Sequence, residues 1–173
     1  PGWDGVPLRS IIAERFGRPV ELGNDANLAA LGEQRFGAGR GVADMVYMTV
    51  STGIGGGIIA GGELFLGHGG FAGEIGHQTI LVDGPLCGCG NRGCLEALAA
   101  GPAIGRMGRE AAALPRGAAL LALAGGDIAA VTARTVSKAA AGGDAAAIEI
   151  LRRAATYIGI GLANLCNILN PEL

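Results

Sequence analysis

Three of the four cysteines fall within eight residues, as Cys87, Cys89 and Cys94, and His77 stands ten residues before the first. Gly88, Gly90 and Gly93 interleave with them. A segment of this kind must curl until its soft side chains meet. Three thiolates and an imidazole suit the borderline-soft zinc ion, and four such ligands make a closed tetrahedral structural site. A secreted disulfide framework would spread its cysteines more evenly. The cluster instead implies a metal in a reducing compartment, so a cytoplasmic location is expected. Cys166 stands apart, on the apolar side of the last helix, and is expected in the core.

The 173 residues suffice for one domain or one lobe of a larger protein. Glycine is abundant, with 33 residues, and aromatics make up only 4%. That composition favours tight turns and closely packed helices over an aromatic ligand cage. The net charge is −2 and Lys138 is the only lysine. With no basic stripe, nucleic-acid binding is not expected of this segment. Two uncharged stretches, Met45 to Gly62 and Ala154 to Pro171, reach membrane-spanning length. The first is broken by glycines and the second by Asn164, Asn167 and Asn170. Neither is expected to span a membrane, and no signal peptide is visible.

Apolar spacing predicts helices over Leu8–Phe16 and from about Ala26 to Phe36, with a short strand at Pro19–Leu22 between them. Gly37–Gly41 is a break and a candidate lobe boundary. Strands are expected at Met45–Val50, Gly57–Ala60, Glu63–Leu66 and Gln78–Val82, with a glycine-rich turn over Ser51–Gly57. Helices should start near Cys94 and after Pro102, and run over Asp127–Ala141. The clearest helix is Asp144–Leu169, where Ile148, Leu151, Ala155, Ile158, Leu162, Leu165 and Leu169 recur every three or four residues. Asp144 can cap it and Pro171 stops it. Gly159 and Gly161 inside it suggest a close approach by another backbone.

Three further features can carry chemistry. Thr52-Gly53-Ile54-Gly55-Gly56-Gly57 can cradle a phosphate on exposed N–H groups, or serve only as a hairpin turn. It is not a P-loop, because no Gly-Lys-Ser/Thr follows. Asn24-Asp25 at a helix start is either a plain N-cap or a carboxylate base set where the helix dipole favours negative charge. Glu74 and Glu96 flank His77 and Cys94. A bound ion would bring them together, as acceptors for sugar hydroxyls or as solvated surface charge. His68, in a glycine-rich loop, has no assigned role.

Together these residues resemble the ROK family (repressor, open reading frame, kinase). The resemblance rests on Gly70-Phe71-Ala72-Gly73-Glu74-Ile75-Gly76-His77, Pro85-Leu86-Cys87-Gly88-Cys89-Gly90 and Gly93-Cys94-Leu95-Glu96, and extends over nearly the whole chain. It implies an α/β, actin-like (ribonuclease H-like) ATPase fold with a zinc-binding loop. Residues 1–41 would be a remnant of the N-terminal lobe carrying the base helix, and residues 42–173 the C-terminal lobe. Asp25 matches the base that deprotonates the sugar hydroxyl. Asn24, Glu74, His77 and Glu96 match sugar-holding residues, so His77 would serve both sugar and zinc. Thr52, Gly53, Gly55 and Gly56 match the second phosphate-contacting loop.

The implied activity is phosphorylation of a hexose, glucose first, by ATP with Mg²⁺, in a homo-oligomer. The family's first phosphate loop and its adenosine turn have no counterpart here, so the chain resembles a glucokinase-like kinase cut at both ends. The alternative is the sugar-sensing part of a ROK repressor, and a third reading is a zinc module used for assembly. The intact Thr-Gly-x-Gly-Gly-Gly run favours the kinase, since a repressor has no need of ATP.

Overall fold

The computed structural model describes residues 4–173. The first helix, α1 (Leu8–Phe16), buries none of its side chains and ends at Gly17 in a left-handed cap. Helix α2 (Asp25–Phe36) starts under a cap from Asn24, whose Oδ1 accepts from the N–H of Ala26 at 2.9 Å and of Asn27 at 3.1 Å. That satisfies two of the donors a helix start leaves free. Between these helices Pro19–Leu22 forms no strand. The segment lies along the surface, and Pro19 has no N–H to offer a ladder.

Strands β1 (Met45–Val50), β2 (Ile54–Ala60) and β3 (Glu63–Leu64) form one antiparallel sheet in the order β1-β2-β3. Pairing of Val50 with Ile54 leaves only Ser51, Thr52 and Gly53 as the turn. The strand expected from Gly57 therefore begins three residues earlier, and Gly55, Gly56 and Gly57 belong to the sheet. Their missing side chains are what the packing uses. A Cβ on Gly55 would meet the Cβ of Ala26 at 3.0 Å, and one on Gly57 would meet the Cβ of Ala30 at 2.5 Å and the carbonyl of Ala26 at 3.1 Å. A Cβ on Gly56, on the other face, would overlap the side chain of Ile75. β2 is thus bare where α2 presses on one side and the 3₁₀ turn Ile75–His77 on the other. At the sheet edge, Leu173 O accepts from Val46 N at 2.9 Å, and Glu172 N donates to Asp44 O at 2.8 Å.

The remaining helices are α3 (Leu95–Ala99), α4 (Gly101–Ala112), α5 (Ala118–Leu123), α6 (Ala133–Ala141) and α7 (Ala145–Leu169). They share one apolar core with Ile54, in which Leu95, Leu120, Val131 and Val136 are fully enclosed. The expected helix Asp127–Ala141 is split: a 3₁₀ turn covers Ile128–Ala130, and Thr132 restarts the chain as α6 through a capping box with Thr135. The expected strand Gln78–Val82 is reduced to a bridge between Thr79 and Cys94, because the N–H groups of Ile80 and Leu81 both turn to the carbonyl of Gly93. The strand expected over Glu63–Leu66 is assigned only over Glu63–Leu64.

Helix α7 keeps its expected span and its Asp144 cap, but the buried stripe is Ala147, Ile150, Ala154 and Gly161. Ile148, Leu162 and Leu169 are exposed, as is Cys166. Small residues bring α7 close to its neighbours, and the larger apolar side chains are left at the margin. Gly161 does meet a close neighbour, in the side chains of Leu95 and Gln78 and not in a backbone; nothing lies within 4 Å of a Cβ at Gly159. The described residues contain no helix long and apolar enough to cross a membrane.

Two glycine substitutions separate packing from propensity. Gly57→Ala is expected to destabilise the chain by about 1–3 kcal/mol, because Ala30 and the α2 backbone cannot withdraw. Gly159→Ala is expected to stabilise it by up to about 1 kcal/mol, the helical preference of Ala over Gly in open space. Thermal unfolding of the two variants gives opposite shifts in Tm.

Candidate functional site

Asp25 is the first residue of α2, exposed, with its Oδ1 accepting from the N–H of Ala26 at 2.9 Å. The capping role falls to Asn24, so the Asp25 carboxylate is not needed to close the helix. The tight α2–β2 packing brings Asp25 to the β1–β2 turn. There Ser51 N donates to Gly53 O at 2.8 Å, while the N–H groups of Thr52 and Gly53 have no partner among the described residues.

Glu96 fastens this turn to α3. Its Oε2 accepts from the N–H of Ile54 at 2.9 Å, and its Oε1 lies 4.0 Å from the Cys87 sulfur. A Cβ on Gly53 would meet the Glu96 carboxylate at 2.5 Å. The bare residue in the turn therefore makes room for the Glu96 carboxylate.

His77, Cys87, Cys89 and Cys94 converge, with one donor atom from each lying within 4.8 Å of all the others. The Cys89 and Cys94 sulfurs are 3.7 Å apart, and the Cys87 sulfur is 3.6 Å from His77 Nδ1. Four ligands placed tetrahedrally at about 2.0–2.3 Å from zinc stand ~3.5–3.8 Å from one another, so these two distances fit such an ion. Local backbone geometry holds the loop: Cys87 N donates to Asn91 O at 2.7 Å, and Gly93 N to Pro85 O at 2.9 Å. Gly93 must be glycine, since its φ is +67° and a Cβ would overlap the carbonyl of Leu81. The thiols differ electrostatically. The backbone N–H of Asn91 draws the Cys89 thiol below its ordinary value. Burial, helped by hydrogen bonding with Cys89 and Cys87, pushes the Cys94 thiol up to about 12. A cation must therefore displace a proton firmly held on Cys94.

The imidazole faces two ways. Nδ1 points at the sulfur cluster, while Nε2 lies 3.9 Å from Glu74 Oε2. Glu74, His77, Glu96, Asp25, Thr52, Gly53 and Gly55 all open onto one cavity of about 570 Å³. The expected site residues thus meet, with two exceptions. Asn24 does not line the cavity, and Gly56 is buried beneath Ile75.

A larger neighbouring cavity, of about 810 Å³, shares Ser51 and Thr52 and brings in Arg109 and Arg134. Arg109 is pinned by the carbonyl of Val131 at 2.8 Å. Neither arginine has a carboxylate partner among the described residues. Sequence reasoning passed over both, because isolated arginines on Ala-rich helices carry no motif.

The ROK family pattern matches residues 1–173. The chain belongs to the ROK family. A ROK glucokinase structure from Streptomyces griseus, solved with glucose and AMPPNP, is 44% identical, with a TM-score of 0.84 over 95% of this chain and 54% of that one. A glucokinase from Streptomyces coelicolor is 42% identical over 98% of this chain and 54% of its own length. A xylose repressor from Caldicellulosiruptor bescii is 39% identical over 99% of this chain and 42% of its own. The chain spans about half the length of the curated ROK relatives it matches.

Elemental analysis of the freshly purified chain is expected to find about one zinc ion per molecule. Cys94→Ser removes a buried ligand and is expected to lower both zinc content and Tm.

Proposed function

We propose that this chain is the sugar-recognising part of a ROK-type hexose kinase, with glucose as the first candidate substrate and ATP with Mg²⁺ as donor. The observation carrying this reading is the shared cavity. A carboxylate free of capping duty, two further carboxylates and an imidazole face a turn with unpaired N–H groups. Zinc bound at His77, Cys87, Cys89 and Cys94 would supply a fixed strut behind that wall, and the Cys₃His donor set and its spacing support it. The clustered free thiols support a cytoplasmic enzyme.

In this reading Asp25 accepts the proton of the attacking hydroxyl as its oxygen reaches the γ-phosphorus. Glu74 and Glu96 accept hydrogen bonds from other hydroxyls, and His77 contributes through Nε2. Asn24 has its amide nitrogen left for the same task, its oxygen being used by the helix cap. The N–H groups of Thr52 and Gly53 stabilise phosphoryl oxygens, with Gly55 behind them and Gly56 acting through packing. The larger cavity past Thr52, with Arg109 and Arg134, has the size and charge for the rest of a nucleotide. We assign residues 1–41 to the N-terminal lobe and 42–173 to the C-terminal lobe of an actin-like ATPase, although α2 packs tightly on the sheet of the latter. The likeness to xylose repressors supports a second reading, a sugar-sensing domain without turnover. Hexose-dependent ATP consumption by the full-length protein separates the two.

In the full-length protein, Asp25→Asn is expected to lower kcat by about 10²-fold or more, the scale of a lost general base. Hexose affinity should stay within a few-fold. Near-normal turnover would reduce Asp25 to an ordinary first residue of a helix.

A further inference from the structure

Gln78 stands at a junction that the proposed chemistry does not use. Its Nε2 donates to the carbonyl of Ile75 at 3.0 Å, closing the 3₁₀ turn that carries Glu74 and His77. Its carbonyl accepts from the N–H of Leu95 at 3.0 Å, at the start of the helix that carries Glu96. Its Oε1 accepts from Asn164 Nδ2, on α7, at 3.3 Å. A single residue thereby joins both sugar-facing segments to the longest helix in the chain.

Gly161 lies beside this junction, one turn before Asn164. A Cβ there would come within 2.8 Å of Leu95 Cδ2 and 3.2 Å of Gln78 Nε2. Leu95 is fully buried and sits between the ligand Cys94 and the carboxylate Glu96, so it has no room to move aside. This accounts for a glycine in the middle of a helix, where alanine would otherwise be the more stable choice. Gly159, two residues earlier, has open space around it and no such reason.

We propose that Gln78, held by Asn164 and seated against Gly161, is a positioning residue that sets the spacing of Glu74 and His77 relative to Glu96, and so tunes affinity for the hexose. The proposal rests on the kinase reading of the site. Gln78 does not line the cavity and touches no reacting group. Its amide ties the turn carrying Glu74 and His77 to α7, against which Leu95, beside Glu96, also packs, while its backbone carbonyl holds the N–H of Leu95. Gln78 does not line the arginine-lined cavity, and it reaches the Thr52–Gly53 turn only through Glu96, so the KM for ATP should change much less than that for glucose.

The test uses the full-length protein with glucose and ATP. Gln78→Met keeps the side chain's length and removes its two side-chain hydrogen bonds, leaving the backbone bond to Leu95 in place. It is expected to raise the KM for glucose about five- to tenfold, the scale of a lost hydrogen bond, while kcat, the KM for ATP and the zinc content stay within about twofold of wild type. Asn164→Ala, on the exposed side of α7, is expected to raise the glucose KM about two- to threefold with no change in kcat. It decides the matter if Gln78→Met does not fold. An unchanged glucose KM in the folded variants overturns the proposal, as do equal changes in both KM values, which a merely structural role would give. If the wild-type protein neither binds nor phosphorylates a hexose, the kinase reading fails and the positioning role falls with it.

Discussion

Three consecutive glycines in β2 hold this molecule together. At Gly55, Gly56 and Gly57, β2 accepts α2 on one face and the 75–77 turn on the other at distances that even a methyl group would prevent. Two segments far apart in sequence, bearing Asp25 on one side and Glu74 with His77 on the other, are thereby drawn to the same end of one hairpin. The glycine run reads at first as a ligand loop. Only its leading edge, Ser51 to Gly53, is a loop, and the rest is a packing surface.

The sulfur cluster completes the wall from a third direction. Cys94 is followed directly by Leu95 and Glu96, so the ligand, a core anchor and a cavity-lining carboxylate share one rigid turn at the start of α3. Glu96 reaches from there to the N–H of Ile54 and closes the circuit back to the hairpin. His77 carries the link on its two ring nitrogens, one toward the thiols and one toward Glu74. The sulfur cluster, the glycine strand and the cavity are therefore joined through Glu96 and His77.

The clustering of His77, Cys87, Cys89 and Cys94, and of Glu74 and Glu96 beside them, was legible in the sequence because it is local: soft donors at short spacings, with acids flanking them. The β1 and α7 boundaries were legible from apolar periodicity. The errors share a cause. The strand expected at Gln78–Val82 and the core position expected for Cys166 depend on what each segment meets in space. The Gly93 carbonyl captures the first segment's N–H groups, and the small residues of α7 rotate its buried stripe one position away from its large apolar ones. Arg109 and Arg134 could not be found in advance, since only the fold sets them beside Thr52.

The coupling between the ion cluster and the cavity is tested most directly by calorimetric titration of glucose into the full-length protein in three states: as purified, stripped of zinc by chelation, and reloaded with zinc. The account predicts that stripping weakens glucose binding by about tenfold or more, the scale on which groups supporting a site are felt, and that reloading restores it. Zinc-free protein that remains folded and binds glucose as tightly as the zinc-loaded form would contradict it.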